Sequence, residues 1–160
     1  MRSLILTMMM VAAVCQNTYA QSAVSAVHAC ALLSATEVKK LIGLPDPLNL
    51  YEKMPPEEQP IGKGTSCNYP SAHVQIDPFD WSTIDSLRGK NAAQFEAVPG
   101  VGDAAFLRAN KMRAVEFAEL YARAGTHILT IQLDVPEGSS TAAVKPGLVA
   151  LAKAYAAKLR

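Results

Sequence analysis

The chain has 160 residues, half of them hydrophobic, and a formal net charge of +1 at neutral pH. That is one domain's worth of polypeptide, able to bury roughly 68% of its unfolded surface. There is no basic excess and no Lys/Arg run to draw nucleic acid or anionic lipid.

Residues 1–20 read as an export signal. Arg2 gives a positive start, and the apolar run Leu4 to Val14 is shorter than the roughly 20 residues of a spanning helix. Thr18-Tyr19-Ala20 then places small residues where a signal peptidase cuts, predicting cleavage before Gln21. Lipidation at Cys15 is disfavoured by Ala12 and Val14, which make a poor lipobox. Residues 21–160 are therefore expected as a single α+β domain, periplasmic or secreted, with no transmembrane segment in the mature chain. Once Cys15 is removed, only Cys30 and Cys67 remain. In an oxidising compartment they are expected to form one structural disulfide, being too far apart for a Cys-x-x-Cys redox pair.

Ser34-Ala35-Thr36-Glu37 is a capping box opening a helix. Val38, Leu41 and Ile42 share its apolar face, and Gly43 stops it. Residues 44–64 hold five prolines and two glycines and are expected to be an irregular loop, with Glu57-Glu58 solvated. Thr65–Tyr69 and His73–Asp77 read as strands ended by Pro78. A second helix is predicted to be capped by Ser82 with Asp85, its apolar side formed by Ile84, Leu87, Ala92 and Phe95. Val98–Asp103 is a turn-rich connector, and Ala104–Arg108 a strand. Ala114–Arg123 is ambiguous: Val115, Phe117 and Tyr121 alternate as in a strand, while the Ala/Glu/Leu content suits a helix. Thr126–Val135 is a strand, and a final helix runs to about Leu159. Its apolar stripe is Leu148, Leu151, Ala152, Tyr155 and Leu159, with a cap in Ser139-Ser140-Thr141 and Pro146 in the first turn. This order predicts an antiparallel sheet with helices packed on one face and one disulfide.

Chemical motifs are weak. Gly100-Val101-Gly102-Asp103-Ala104-Ala105 fits G-x-G-x-x-A, but a strand-like segment follows where a dinucleotide site needs a helix. Gly62-Lys63-Gly64-Thr65 lacks the upstream glycine of a phosphate loop. His73, Asp77 and Asp80, with His127 or His28 added by folding, are nitrogen and oxygen donors without metal-ligand spacing, so surface roles are expected and no metal or cofactor. No G-x-S-x-G elbow is present, and no catalytic residue is assigned. Phe79 and Trp81, beside Pro78, are candidates for a binding edge together with His73 and Asp77.

Cys30-Ala31-Leu32-Leu33-Ser34-Ala35-Thr36-Glu37-Val38 with Leu41-Ile42-Gly43, then Cys67-Asn68-Tyr69, then Val98-Pro99-Gly100-Val101-Gly102-Asp103-Ala104-Ala105-Phe106 resembles small secreted bacterial envelope proteins of the DUF3558-like kind. The resemblance spans most of residues 30–159. It implies an envelope protein with an α+β domain, supports pairing Cys30 with Cys67, and carries over no catalytic residues. The expected role is non-enzymatic binding of a small ligand or an envelope protein through the sheet face or the loops at 44–64 and 78–82. The alternatives are a small periplasmic hydrolase or metal-dependent enzyme using His73 and Asp77, or a structural partner in an envelope complex.

Overall fold

A computed structural model describes residues 27–112 and 115–160. The expected signal segment, Cys15 and the cleavage point before Gln21 lie outside these residues. In chain order the elements are α1 (Ala29–Leu32), α2 (Ala35–Ile42), α3 (Leu50–Lys53), β1 (Glu57–Ile61), β2 (Gly64–Tyr69), β3 (Ala72–Ile76), α4 (Trp81–Lys90), a 3-10 turn (Ala92–Gln94), β4 (Glu96–Ala97), β5 (Ala104–Met112), β6 (Val115–Ala124), β7 (His127–Asp134) and α5 (Thr141–Lys158). The strands form one sheet in the order β1-β2-β3-β7-β6-β5-β4, every neighbour antiparallel. The fold is α+β.

Strand alternation divides the sheet into two faces. Cross-strand pairing sets Thr65, Ile76, Leu129, Ala122 and Ala105 in one row, and Cys67, Val74, Ile131, Leu120 and Leu107 in the next. These rows form the floor of the main core, and α1, α2 and α5 make the helical layer above it. The opposite face carries Ser66, Gln75, Thr130, Tyr121 and Phe106, beside Asn68, His73, Gln132, Glu119 and Arg108. Over its β5–β6 end lie α4 and the 3-10 turn. Trp81 stacks on Phe106 and Phe95 tilts against Tyr121, both with ring centroids 6.1 Å apart, and Ile84 is buried.

The capping box forms as expected. Ser34 Oγ accepts the Glu37 amide at 3.3 Å, and the Glu37 carboxylate accepts the Ser34 amide at 2.8 Å. Ser140 caps α5 in the same way, accepting from the Ala143 amide. The stripe Leu148, Leu151, Ala152, Tyr155 and Leu159 is buried. Tyr155 meets Tyr69 hydroxyl to hydroxyl at 2.8 Å, and Tyr69 donates to the Leu33 carbonyl at 2.9 Å, so the polar ends of both buried rings are satisfied.

The sequence expectations fail at four places. Residues 44–64 are not an irregular loop: they contain α3 and the edge strand β1. Pro60 is tolerated there because an edge residue can lack a ladder donor, and it pairs with Thr65. Glu58 is not simply solvated: one carboxylate oxygen accepts from the Cys30 amide at 3.2 Å and the other meets His28 Nδ1 at 2.9 Å. The second helix starts two residues earlier, with Asp80 at the N-cap and Ser82 inside its first turn, and Ala92 and Phe95 fall beyond its end. Pro146 lies in the second turn of α5, not the first. An interior proline costs about 3 kcal/mol. Burying each large apolar side chain of the stripe contributes about 1.5–3 kcal/mol, so the stripe outweighs the lost hydrogen bond. The ambiguous segment after Ala114 is strand β6.

Candidate functional site

At one end of the sheet three connections converge: the β1–β2 turn with Lys63, the segment Asp77–Asp80 between β3 and α4, and the β6–β7 turn with Thr126. Together with Trp81, Arg123, His127, Ile128 and Val27 they line a cleft of about 490 Å³. Asp77 organises it. Its φ of 52° lies in the left-handed region, which asparagine and aspartate tolerate better than most residues but at a cost of order 1–3 kcal/mol. Three contacts of 2.7 Å hold it there. Its amide donates to the Ile128 carbonyl, its Oδ1 accepts the Ile128 amide, and its Oδ2 meets His127 Nδ1. Hydrogen bonds to a charged group contribute about 1.5–3 kcal/mol each, enough to offset the backbone cost. With Nδ1 engaged, His127 Nε2 has no hydrogen-bond partner among the described residues.

The apolar wall is formed by half-buried Phe79 and Trp81 and buried Ile128. Arg123 projects from β6 on the face that carries Tyr121, and its guanidinium lies 5.6 Å from the centre of the Trp81 ring. At the rim Lys63 Nζ pairs with Asp80 at 2.8 Å, both side chains largely exposed.

Of the four binding candidates read from the sequence, Phe79, Trp81 and Asp77 meet in this cleft. His73 does not line it. It sits on the sheet face, directly paired with Asn68 and Gln132, while Asp77 leaves the strand at the turn. His127 joins Asp77, as folding was expected to allow, and His28 goes instead to Glu58 at 2.9 Å. Among the described residues no group of three or more His, Cys, Asp or Glu side chains is placed to hold a metal, and no helix is long and apolar enough to cross a membrane. The glycine-rich Val98–Asp103 segment is a turn followed by β5. A Cβ on Gly102 would come 2.2 Å from the Arg123 carbonyl oxygen, so glycine serves close strand approach there. Sequence reasoning missed Arg123 and Lys63. Strand parity with Tyr121 would have placed Arg123 outward, had the strand reading of β6 been settled.

His73 has its own pH signature. Burial pushes its imidazole below the ordinary 6.5. The neutral ring is favoured in the fold, so this group's contribution is fully present above the unfolded value and is lost as pH falls through the lower folded one. The melting temperature is expected to drop as pH is lowered below about 6.5, and His73→Gln to flatten that drop. An identical slope in the variant would place the titration elsewhere.

Searches of protein-family models, curated proteins and solved structures find no match to this chain.

Proposed function

We propose that the chain is an exported envelope protein that binds a small ligand in the cleft around Trp81. What carries this reading is the convergence of Phe79, Trp81 and Asp77 with Arg123 and His127 in one concavity of about 490 Å³. Apolar walls with a few oriented polar groups are the usual makeup of a small-molecule site, and the volume suits one. Export, which would place that site outside the cytoplasm, is carried by the signal-like segment at residues 1–20.

Trp81 is the chain's single tryptophan, so its emission reports on the cleft without labelling. In a screen of periplasmic small molecules, a true ligand is expected to change Trp81 fluorescence. At one hundred times its Kd it should also stabilise the fold by about 2.7 kcal/mol. Phe79→Ala should weaken that response while the protein remains folded. If no compound shifts either emission or melting, the binding reading fails.

A second reading rests on the Asp77–His127 pair. A carboxylate fixing one imidazole nitrogen leaves the other free to take a proton, the arrangement a general base requires. It replaces the His73/Asp77 pairing with His127/Asp77. This reading expects hydrolysis of an ester or amide panel by the purified protein and loss of at least about 100-fold in His127→Gln. Turnover that survives the substitution would remove it.

A further inference from the structure

We propose that Arg123 is the anion-recognising residue of the cleft and that the ligand is a small carboxylate with an apolar body. This rests on the cleft being the binding site and specifies its ligand class.

The charges of the cleft do not all have the same freedom. The Asp77 carboxylate is held by His127 and by the Ile128 amide. Asp80 is paired with Lys63. Arg123 has no carboxylate within ion-pair distance among the described residues. Every other arginine of the described chain has one: Arg88 with Asp85, Arg108 with Glu119, and Arg160 with Asp103. The remaining positive charge of the concavity is therefore that of Arg123.

Its position favours binding over mere solvation. The guanidinium lies over the Trp81 ring, which is itself stacked on Phe106, with Arg88 4.0 Å above that ring. At 5.6 Å from the ring centre the guanidinium charge faces the Trp81 π-system, and with no hydrogen-bond or ion-pair partner among the described residues its N–H fork is left for a ligand. That fork matches the two oxygens of a carboxylate or phosphate. The choice between them follows from the neighbours. Asp77 and Asp80 both line the cleft, so a dianion meets more repulsion than a monoanion. Phe79 and Ile128 supply the apolar wall for the rest of the molecule. The cleft is open and Arg123 is exposed, so binding should weaken as salt rises.

The test uses three probes of one shape: phenylacetate, its neutral analogue phenylacetamide, and phenyl phosphate. Each is titrated against Trp81 emission at low ionic strength. Phenylacetate is expected to saturate, with phenylacetamide and phenyl phosphate each weaker by roughly tenfold or more, the equivalent of about 1.4 kcal/mol. In Arg123→Gln the preference for phenylacetate over phenylacetamide should disappear, with the melting temperature unchanged. If R123Q melts early, the wild-type preference decides alone. Equal binding of acid and amide, or a preference that survives in a folded R123Q, overturns the carboxylate assignment but leaves the cleft a binding site. Tightest binding of phenyl phosphate also overturns it. No response to any probe at millimolar concentration overturns both.

Discussion

Replacing Cys30 and Cys67 together by alanine is expected to lower the unfolding free energy by about 4 kcal/mol, the chain-entropy value for a closed loop of this size. The two cysteines are 37 positions apart, bonded to each other with Cα atoms 5.1 Å apart, and Cys67 is fully buried. The loop they close contains α2, α3 and β1. α1, which carries Cys30, has four residues and cannot persist by itself. It is tied to β2 by the bridge, by the Ala29 amide donating to Thr65 Oγ1 at 2.8 Å, and by that hydroxyl donating to the Val27 carbonyl at 2.8 Å. The polar ties contribute about 1 kcal/mol each, so the bridge is the larger constraint. For a domain stable by about 5–15 kcal/mol, losing 4 is a large fraction. Urea unfolding of wild type and the double variant measures it. A steeper denaturant dependence is expected as well, because the uncrosslinked chain exposes more surface on unfolding. A loss below about 1 kcal/mol would mean that the unfolded chain keeps these segments close without the bridge, so that little loop entropy is gained on its removal.

Gly147→Ala is the second large effect, and its sign runs against helix propensity. Within an exposed helix, alanine for glycine stabilises by about 1 kcal/mol. Gly147 instead sits where α5 crosses the end of α2. A Cβ there would lie 2.2 Å from the Ile42 carbonyl oxygen and 2.9 Å from its carbon. Those atoms are backbone and cannot swing aside as a side chain would. Overpacking costs about 1–3 kcal/mol, and a backbone clash belongs at the upper end, leaving a net loss near 2 kcal/mol. Gly89, in α4, has nothing within 4 Å of the same added atom. Gly89→Ala should therefore stabilise by about 0.5–1 kcal/mol. Chemical denaturation of the two variants side by side gives the comparison. A Gly147→Ala protein as stable as wild type would show that α2 and α5 do not approach this closely.

What was legible in the sequence was what neighbouring residues decide among themselves. The Ser34/Glu37 box and the Leu148–Leu159 stripe depend on spacings of three and four residues, and both appear as expected. β2, β3 and β7 were readable because they alternate over several residues. β1 was not, since Pro55, Pro56 and Pro60 are loop signals, and only its place at the sheet edge removes the need for the missing donor. β6 was undecided because Ala, Glu and Leu favour a helix in isolation. Pairing with β5 and β7 on both sides overrides that propensity.

The candidate site divides in the same way. Phe79, Trp81 and Asp77 stand together in the chain, and their residue types suggested a binding edge. The sequence by itself thus determined the α+β class, the one possible bridge of the two later cysteines, and an aromatic segment beside an acidic turn. Only the tertiary structure decided that Asp77 joins His127, fifty residues away, rather than His73 four residues away. It also decided that Arg123 reaches Trp81. The physical reason is that strand pairing sets which residues become neighbours. The β3–β7 pairing joins segments whose contact no local pattern encodes, and it brings the Asp77 turn to the start of β7.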